Sequence, residues 1–513
     1  MTIESKRLAL QAALDRQKDE QRDQKDKAVR NTLGQFATPS GLASDVIEYA
    51  LKVFEGDSIK FLDPAFGTGS FYSALLNHSE SFEIATAVGI EVDDFYGEPT
   101  RELWQDYDLS IKAADFTKLT PPKNIAKANL LICNPPYVRH HHIAKENKKR
   151  LCESSTRIFG IKVSGLAGLY CHFIAAAHDW MAKGAIAGWL IPSEFMDVNY
   201  GAALKAYLTT KVTLLAVHRY DPSEQLFGDA QVSSAIVWIK NEPPLSEHRA
   251  IFSFGGSLNN PSISKLISVK NLKIVLKWTV FPVKEAKNEE KVKKQSKILD
   301  YFRVRRGLAT GNNDFFIMGT NKAKSLDIPF EFLKPILPSP KHLKEQVIEC
   351  DEFGLPKIDS QLYLLDCTLE PQQIEQDHPS LWAYLNEGIK LGVNQAYLCK
   401  NRRLWYRQDR RQAAPFYCTY IGRKTKASDK PFSFVLNHSE AVVSNSYLAL
   451  EPLPEYKELL ANDSDLRVKV WQALNAICGE QMKAQGRVYG GGLYKMEPKE
   501  LSNVPATLVA KLL

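Results

Sequence analysis

The sequence predicts an α/β fold, in which a doubly wound, mostly parallel sheet is followed by a second domain of α+β type. Strand-like apolar runs alternate with helical segments from about Phe61 to Ile239, as in a sheet covered by helices on both faces. The charge then changes: residues 1–240 contain 27 Lys and Arg against 29 Asp and Glu, whereas residues 241–513 contain 39 against 30. We therefore expect a polar helical arm over residues 1–30, an α/β domain over residues 31–242 and a basic domain over residues 243–513.

The composition excludes several classes of protein. A chain of 513 residues, 44% hydrophobic and 24% charged, is typical of a globular protein with two or three domains. It has no apolar run near the roughly 18 residues of a membrane span, and its first 30 residues lack the apolar core of a signal peptide. The eight cysteines include no Cys-x-x-Cys pair. We expect a cytosolic protein with reduced thiols, no membrane partner and no metal.

The most informative stretch is an apolar run at residues 130–133 that ends abruptly in Asn134-Pro135-Pro136-Tyr137. The Asn134 side chain offers a carbonyl oxygen, and the Pro135 backbone carbonyl is held at an angle that its ring restricts. Two such acceptors beside the aromatic Tyr137 suit the exocyclic amine of a flat base, which the ring stacks on. The alternative is a strand-ending turn in which the two prolines only block extension of the sheet.

A second strand-like run ends at Asp63 and leads into a loop of small residues. Ala65, Gly67 and Gly69 allow a ligand to approach the backbone closely, and the following helix begins with free N–H groups. The spacing is not that of the dinucleotide motif G-x-G-x-x-G. A loop preceded by Asp63 suits a ligand with a charged amine better than a pyrophosphate.

Two more strand-like runs end in acidic residues. Glu91 is placed to accept hydrogen bonds from a ribose diol, and Asp115 with Phe116 is suited to the amine and the face of an adenine. Glu91 by itself is better explained as a solvated residue at a strand end. However, ligands of open α/β sheets bind at the carboxyl ends of the strands, and four such ends carry ligand-type residues.

The basic second half contains two groups of arginines. Arg305 and Arg306 precede a Gly- and Asn-rich turn, and Arg402, Arg403 and Arg407 are interleaved with aromatic residues. Arginine beside aromatic rings suits phosphate binding and base stacking. The alternative is a basic surface whose aromatics belong to the core. The consecutive histidines at 140–142 do not predict a metal site, because neighbouring side chains of an extended segment point to opposite faces.

In the order and spacing of its motifs, the chain resembles the gamma-class adenine-N6 DNA methyltransferases of restriction–modification systems. The resemblance covers about residues 33–239 and rests on Gln35-Phe36-Ala37-Thr38-Pro39, Asp63-Pro64-Ala65-Phe66-Gly67-Thr68-Gly69, Glu91, Asp115-Phe116 and Asn134-Pro135-Pro136-Tyr137. It implies a Rossmann-like class I methyltransferase domain with a mixed, mostly parallel seven-stranded sheet, followed by a DNA target-recognition domain.

The resemblance also implies a methyl donor, S-adenosylmethionine, and roles for individual residues. Its amino acid end would contact Thr38, Asp63, Ala65, Gly67 and Gly69, its ribose Glu91, its adenine Asp115 and Phe116, and its reacting end Asn134. The catalytic residues would be Asn134, Pro135, Pro136 and Tyr137. Tyr137 and Phe227 would stack on the flipped target base, and the five arginines named above would bind DNA.

The expected reaction is methyl transfer to N6 of an adenine flipped out of double-stranded DNA, in the cytoplasm of a bacterial or archaeal cell. Asn134 and the Pro135 carbonyl would accept the two N6 hydrogens and localise the nitrogen lone pair. A separate restriction endonuclease is a possible partner. Three alternatives stay open at this point: methylation of RNA bases, methylation of cytosine N4, and a catalytically silent DNA-binding subunit. Protein-glutamine methylation fits poorly, because it would not need the basic second half.

Overall fold

The computed structural model describes residues 12–20, 23, 33–78, 82–122, 126–221, 233–275, 277–282, 296–423, 430–489 and 493–513. The chain divides into two compact units, one formed by residues 1–287 with 489–491 and the other by residues 288–488 with 492–513. In the expected N-terminal arm, residues 12–20 form a helix, and Leu14 is buried in the core of the first unit.

The first unit alternates strands and helices, as the sequence predicts. Its described labelled helices are α1 (Ser40–Val53), α2 (Ser70–Leu76), α3 (Asp94–Leu103), α4 (Lys145–Phe159), α5 (Leu169–Ala177), α6 (Ala202–Thr210) and α7 (Val269–Ile274). Its described strands are β1 (Ser58–Asp63), β2 (Glu83–Glu91), β3 (Ser110–Ala113), β4 (Ala128–Cys133), β5 (Met181–Pro192), β6 (Thr213–Arg219), β7 (Ser234–Lys240), β8 (Arg249–Gly256) and β9 (Pro261–Ser268).

These strands form one sheet in the order β3-β2-β1-β4-β5-β7-β6-β8-β9. Neighbours are parallel except at the pairs β5–β7, β6–β7 and β8–β9. The predicted α/β class with a mixed, mostly parallel sheet is therefore confirmed. The expected number of seven strands is too small, because β8 pairs in parallel with β6 and carries β9 at the edge of the sheet. The first unit thus continues beyond residue 242, where the sequence alone placed the domain boundary.

Apolar core lies on both faces of the sheet. Successive side chains of a strand point to opposite faces, so neighbouring residues belong to different core clusters. In β4, Leu130 and Ile132 belong to one buried cluster, whereas Leu131 belongs to the other. The helix α1 buries Ala43, Val46, Ile47 and Ala50, which is the i, i+3, i+4, i+7 spacing of one helical face. Helices α1 and α2 therefore cover one face, and α4, α5 and α6 cover the other.

The second unit is built from short strands and helices around its own apolar clusters. Its described strands are β10 (Phe302–Arg306), β11 (Ile317–Gly319), β12 (Leu333–Ile336), β13 (Val347–Ile348), β14 (Leu362–Leu365), β15 (Phe416–Thr419), β16 (Ile421–Arg423), β17 (Phe434–Asn437), β18 (Tyr447–Pro452), β19 (Arg487–Tyr489) and β20 (Leu493–Lys495). They form sheets in the orders β10-β18-β15-β17-β13, β11-β14-β12 and β16-β20-β19.

Nine helices accompany these sheets within the described part of the second unit. They are α8 (Asn313–Phe316), α9 (Thr320–Ser325), α10 (Pro371–Asp377), α11 (Pro379–Lys390), α12 (Tyr397–Lys400), α13 (Pro454–Asn462), α14 (Ser464–Asn475), α15 (Gly479–Gln485) and α16 (Pro498–Ser502). The mixture of mainly antiparallel sheets and helices corresponds to the α+β organisation that the sequence predicts for this half.

The place of β8 in the first core leads to a prediction about stability. Phe252 in β8 is 1% exposed, and its ring lies 5.7 Å from that of Trp278 and 5.6 Å from that of Phe281. We expect Phe252→Ala to lower the free energy of unfolding of the first unit by about 3–5 kcal/mol. The adjacent Ile251 is 38% exposed, and Ile251→Ala serves as the control with a much smaller loss. Denaturant unfolding followed by tryptophan fluorescence measures both, and equal losses would contradict the assignment of β8 to this core.

Candidate active site

A cavity of about 620 Å³ lies at the carboxyl ends of the first four strands. Because β3, β2, β1 and β4 are adjacent and parallel, the residues that follow them meet at one edge of the sheet. Asp63, Glu91, Asp115 and Asn134 all line this cavity. Of the other residues predicted for the site, Thr38, Ala65, Gly67, Phe116 and Pro136 also line it, whereas Gly69, Pro135 and Tyr137 do not belong to its lining.

The loop after β1 depends on two glycines with positive φ angles. Gly69 has φ +88°, and a Cβ atom there would lie 2.6 Å from the Phe66 ring and 2.7 Å from the Trp104 indole nitrogen. Gly67 has φ +53°, and a Cβ there would meet no described atom within 4 Å. Gly69 therefore allows the loop to pack closely against Phe66 and Trp104, whereas the backbone at Gly67 is open towards the cavity.

Side chains from the end of α3 and from Trp104, which follows it, donate hydrogen bonds to backbone carbonyls of this loop. The Thr100 hydroxyl donates to the Gly67 carbonyl at 2.9 Å, and the Trp104 indole N–H donates to the Thr68 carbonyl at 3.0 Å. On the cavity side, the Gly67 N–H donates to Glu91 Oε2 at 2.9 Å. The loop backbone is thus fixed before any ligand binds.

Asp63 and Glu91 place two carboxyl groups in a poorly solvated part of the site. Asp63 is 1% exposed, and its Oδ1 accepts from the Ala65 N–H at 3.1 Å. Burial, together with the charge of the nearby Glu91, raises the pKa of Asp63 to about 8. Burial also raises the pKa of Glu91, although that carboxylate accepts from the N–H groups of Gly67 and Asp93. A cationic group of a bound ligand would stabilise the ionised form of these carboxyl groups and so lower their pKa values.

The amide of Asn134 is fixed in one orientation. Its Nδ2 donates to the Phe36 carbonyl at 3.0 Å and to the Thr38 hydroxyl oxygen at 3.1 Å. A backbone carbonyl only accepts, so the nitrogen must face Phe36. Both amide hydrogens are used in this way, and no described residue donates to Oδ1. The oxygen of Asn134 therefore remains as an acceptor at the end of β4.

Tyr137 is anchored behind the cavity wall. It is 8% exposed, its hydroxyl donates to the Leu190 carbonyl at 3.2 Å, and its ring centroid lies 5.5 Å from that of Phe36. Its backbone N–H donates to the Gly34 carbonyl at 2.9 Å. The ring is held rigidly by these contacts, and its proposed stacking on a base is a prediction. The other predicted stacking residue, Phe227, lies outside the described residues.

Asp115 and Phe116 form the part of the cavity beyond β3. Asp115 Oδ1 accepts from both the N–H and the hydroxyl of Thr117, and Oδ2 lies 3.6 Å from the Lys118 ammonium. Phe116 is 1% exposed and packs against Phe173 and Trp180. Phe116 thus contributes to the core as well as to the cavity lining.

Several cavity residues were not predicted from the sequence. Tyr96, Leu169 and Phe173 come from helices α3 and α5, and Ser70 begins α2. Ser70 directly follows Gly69, and Tyr96 lies five residues after Glu91, so their positions beside these motifs were the available signal. Leu169 and Phe173 lie far along the chain from the motifs and look like ordinary helix residues.

The arginines predicted to bind DNA lie in the second unit, and most make contacts within it. Arg305 forms an ion pair with Glu451 at 3.3 Å, and Arg306 lies over the Tyr420 ring at 4.1 Å. Arg402 donates to two backbone carbonyls at 2.8 and 2.9 Å, Arg403 pairs with Glu370, and Arg407 is half-buried.

The aromatics interleaved with these arginines belong to the core. Tyr406 is 2% exposed, and Trp405 packs against Phe315 and Phe316. For these two rings the structure agrees with the alternative in which the arginines form a basic surface and the aromatic residues belong to the core.

Residues 140–142 form a single 3₁₀ turn with partly or fully exposed side chains. Within the described ranges, no three His, Cys, Asp or Glu side chains are grouped so that they would hold a metal ion. None of the helices in the part of the chain that the structure covers has the length and hydrophobicity of a membrane span.

Two protein-family models match the chain. The model of the Eco57I restriction-modification methylase matches residues 83–227, which include β2 to β6 and the Asn134 motif. The model of the C-terminal domain of the Type II methyltransferase M.Eco57I matches residues 276–512, which correspond closely to the second unit. Together they match most of the chain.

Individual relatives extend over nearly the whole chain. It is 26% identical over 491 residues to the Type II methyltransferase M.AccI of Acinetobacter calcoaceticus, covering 92% of this chain and 85% of the relative. It is 27% identical over 479 residues to the Type II methyltransferase M.XamI of Xanthomonas campestris pv. amaranthicola, covering 92% and 84%.

A solved structure shows the same fold. The Type IIL restriction-modification enzyme MmeI, solved in complex with DNA, superimposes with a TM-score of 0.52 at 13% identity, covering 94% of this chain and 69% of that enzyme. The family models, the two nearly full-length relatives and the predicted motifs agree. The chain is a DNA methyltransferase of the restriction–modification type.

Proposed function

We propose that this methyltransferase transfers a methyl group from S-adenosylmethionine to N6 of an adenine flipped out of double-stranded DNA, at a specific site. The observation that carries the proposal is the Asn134 amide, which projects its oxygen from the end of β4 with both amide hydrogens already used. A neutral amide oxygen held in this way accepts a hydrogen bond from an amine, and it acts neither as a general base nor as a general acid.

The residues of the cavity suit the proposed methyl donor. A volume of about 620 Å³ lies within the range of small-molecule and cofactor sites. The buried Asp63 favours a ligand ammonium, and the open backbone at Gly67 allows close approach of the ligand. Glu91 and Asp115 supply acceptors for hydroxyl and amino groups, and Phe116 supplies an apolar surface. When bound, S-adenosylmethionine supplies an electrophilic methyl group.

The protein's contribution to the reaction is positioning and electrostatics. The N6 lone pair of adenine is delocalised into the ring, so the amine is a poor nucleophile. Acceptance of its hydrogens by Asn134 and by the Pro135 carbonyl would localise that lone pair and stabilise the positive charge that develops on nitrogen. Pro136 would restrict the backbone of the motif, and Tyr137 and Phe227 would stack on the flipped base, whose extrusion costs a few kcal/mol.

The second unit is proposed as the target-recognition domain. It contains 32 Lys and Arg against 27 Asp and Glu, a positive excess of the kind expected for a surface that binds phosphates. Arg305, Arg306, Arg403 and Arg407 are the candidates for DNA contact. Arg402 keeps fewer free N–H groups, because two of its nitrogens bind backbone carbonyls. A separate restriction endonuclease would be the partner of this enzyme in a bacterial or archaeal cell.

Mapping methylated bases in DNA from cells that express the chain tests this function. We expect N6-methyladenine at one sequence, and its complete loss in Asn134→Ala, because the acceptor for the reacting amine is removed. Asn241→Ala is the matched control, since Asn241 likewise donates from Nδ2 to two acceptors, the Met181 and Ala182 carbonyls, but does not line the cavity. Methylated cytosine, or methylation confined to RNA, would overturn the proposal.

The buried Asp63 predicts that cofactor binding releases a proton. Its pKa of about 8 means that Asp63 is largely protonated at pH 6.5 in the free protein, and a ligand ammonium would favour the ionised form. We expect close to one proton to be released per cofactor bound at pH 6.5, and less as the pH rises through 8. Asp63→Asn should abolish this release and weaken binding, since a charged hydrogen bond contributes roughly 1.5–3 kcal/mol.

Calorimetry in buffers of different ionisation enthalpy measures this proton release. Asp57→Asn, which removes an exposed carboxylate of the same unit, is the control and should bind like the wild type. Equal proton release by wild type and Asp63→Asn would show that Asp63 is not the ligand's counter-charge.

A further inference from the structure

The orientation of the Asn134 amide decides whether the site presents an acceptor or a donor. The two ends of an asparagine side chain are nearly the same size, and a half-turn of the amide exchanges oxygen for NH₂. With NH₂ towards the cavity, the side chain would repel the hydrogens of an incoming amine. Some part of the protein must therefore hold the amide with its oxygen outward.

The two groups that do this belong to the segment before α1, nearly a hundred residues away in sequence. The Phe36 carbonyl accepts one Nδ2 hydrogen at 3.0 Å, and the Thr38 hydroxyl accepts the other at 3.1 Å. Reversal of the amide would set Oδ1 against the Phe36 carbonyl oxygen, and two oxygens that only accept cannot form a hydrogen bond with each other. The loss of a buried hydrogen bond to a carbonyl destabilises the reversed amide, so the carbonyl favours one orientation.

The segment 34–38 is itself fixed against the Asn134 motif. A Cβ atom at Gly34, which has φ +64°, would lie 2.4 Å from the Tyr137 backbone nitrogen, so only glycine allows the two backbones to lie this close. The Ser70 hydroxyl donates to the Thr38 carbonyl at 3.1 Å, which ties Thr38 to the first residue of α2. Thr38 is 7% exposed, so solvent offers little competition for these bonds.

We propose that Thr38 is a positioning residue, whose hydroxyl adds a second hydrogen bond to the Asn134 amide in the orientation that the Phe36 carbonyl selects, with its oxygen towards the reacting base. This inference rests on the proposed function and adds a role to the cofactor contact expected of Thr38. The hydroxyl oxygen accepts from Asn134, and its own hydrogen has no acceptor among the described residues. Because Thr38 lines the cavity, that hydrogen is available to an acceptor on a bound ligand. One hydroxyl thus connects ligand binding with the orientation of the amide.

Hydrogen exchange of the Asn134 side-chain amide tests the orientation without any turnover. In full-length protein labelled with ¹⁵N-asparagine, the Asn134 resonances are assigned by their absence from Asn134→Ala. We expect slow exchange of both Nδ2 hydrogens in the wild type, exchange at least about tenfold faster in Thr38→Val, and recovery in Thr38→Ser, which keeps the hydroxyl. Thr38→Ala is the second variant without a hydroxyl, in case the valine variant folds poorly.

The matched control is Thr213→Val. Thr213 is 8% exposed and donates its hydroxyl to the Glu242 carbonyl at 2.9 Å, outside the cavity. This variant loses a buried threonine hydroxyl as Thr38→Val does, so it measures the general cost of that loss. Its Asn134 exchange should equal that of the wild type.

Single-turnover methylation at saturating S-adenosylmethionine and DNA gives the functional readout. We expect the rate constant to fall about 10- to 100-fold in Thr38→Val and to return to within a few-fold of wild type in Thr38→Ser, because small errors in the position of reacting groups have effects of this size. Unchanged Asn134 exchange in Thr38→Val, or equal rate losses in the valine and serine variants, would overturn the positioning role. Slow wild-type exchange with no methylation of adenine would instead overturn the proposed function and leave the orientation intact.

Discussion

The parallel pairing of β1 with β2 and β4 is the constraint on which the site depends. It aligns Asp63 with Gly89 and Leu62 with Leu131, so the polar residues after the three strands emerge at one edge. The strands are buried on both faces, and their apolar side chains fix the register, because a shift by one residue would exchange the two faces. A site assembled in this way is determined by the core. The ligand-type residues need no flexible loop to bring them together.

The sequence was sufficient for the parts of this arrangement that are encoded locally. Apolar runs bounded by turn residues identified β1, β4 and β7, and the acids at strand ends identified the edge of the sheet. The strands β8 and β9 were both missed, and for β9 the reason is physical. Its side chains alternate between half-buried and exposed, as at an edge strand, so its composition resembles a surface segment. The change in charge near residue 241 reinforced that reading, although charge reports on surfaces and not on where a sheet ends.

Contacts between distant segments were the part that the sequence did not predict. Phe36 and Thr38 were assigned to a cofactor motif, and nothing local indicates that they bind Asn134 across 98 and 96 residues. The mixed Arg and aromatic segment near Trp405 is a similar case. Its pattern suits base stacking, but in the second unit these rings are packed in the apolar core. Residue type limits which chemistry is available, whereas burial decides which groups remain free for it.

The distribution of charge in the cavity also explains why an amide suits the end of β4. Asp63 and Glu91 already share a poorly solvated region, and burial raises the pKa of both. A third carboxyl at position 134 would add like charge to this region and would itself favour the protonated form. In that form it would present a hydrogen to the amine, in the place where an acceptor is needed. The amide of Asn134 does not titrate, so its oxygen stays an acceptor whatever the charge of the carboxyls nearby.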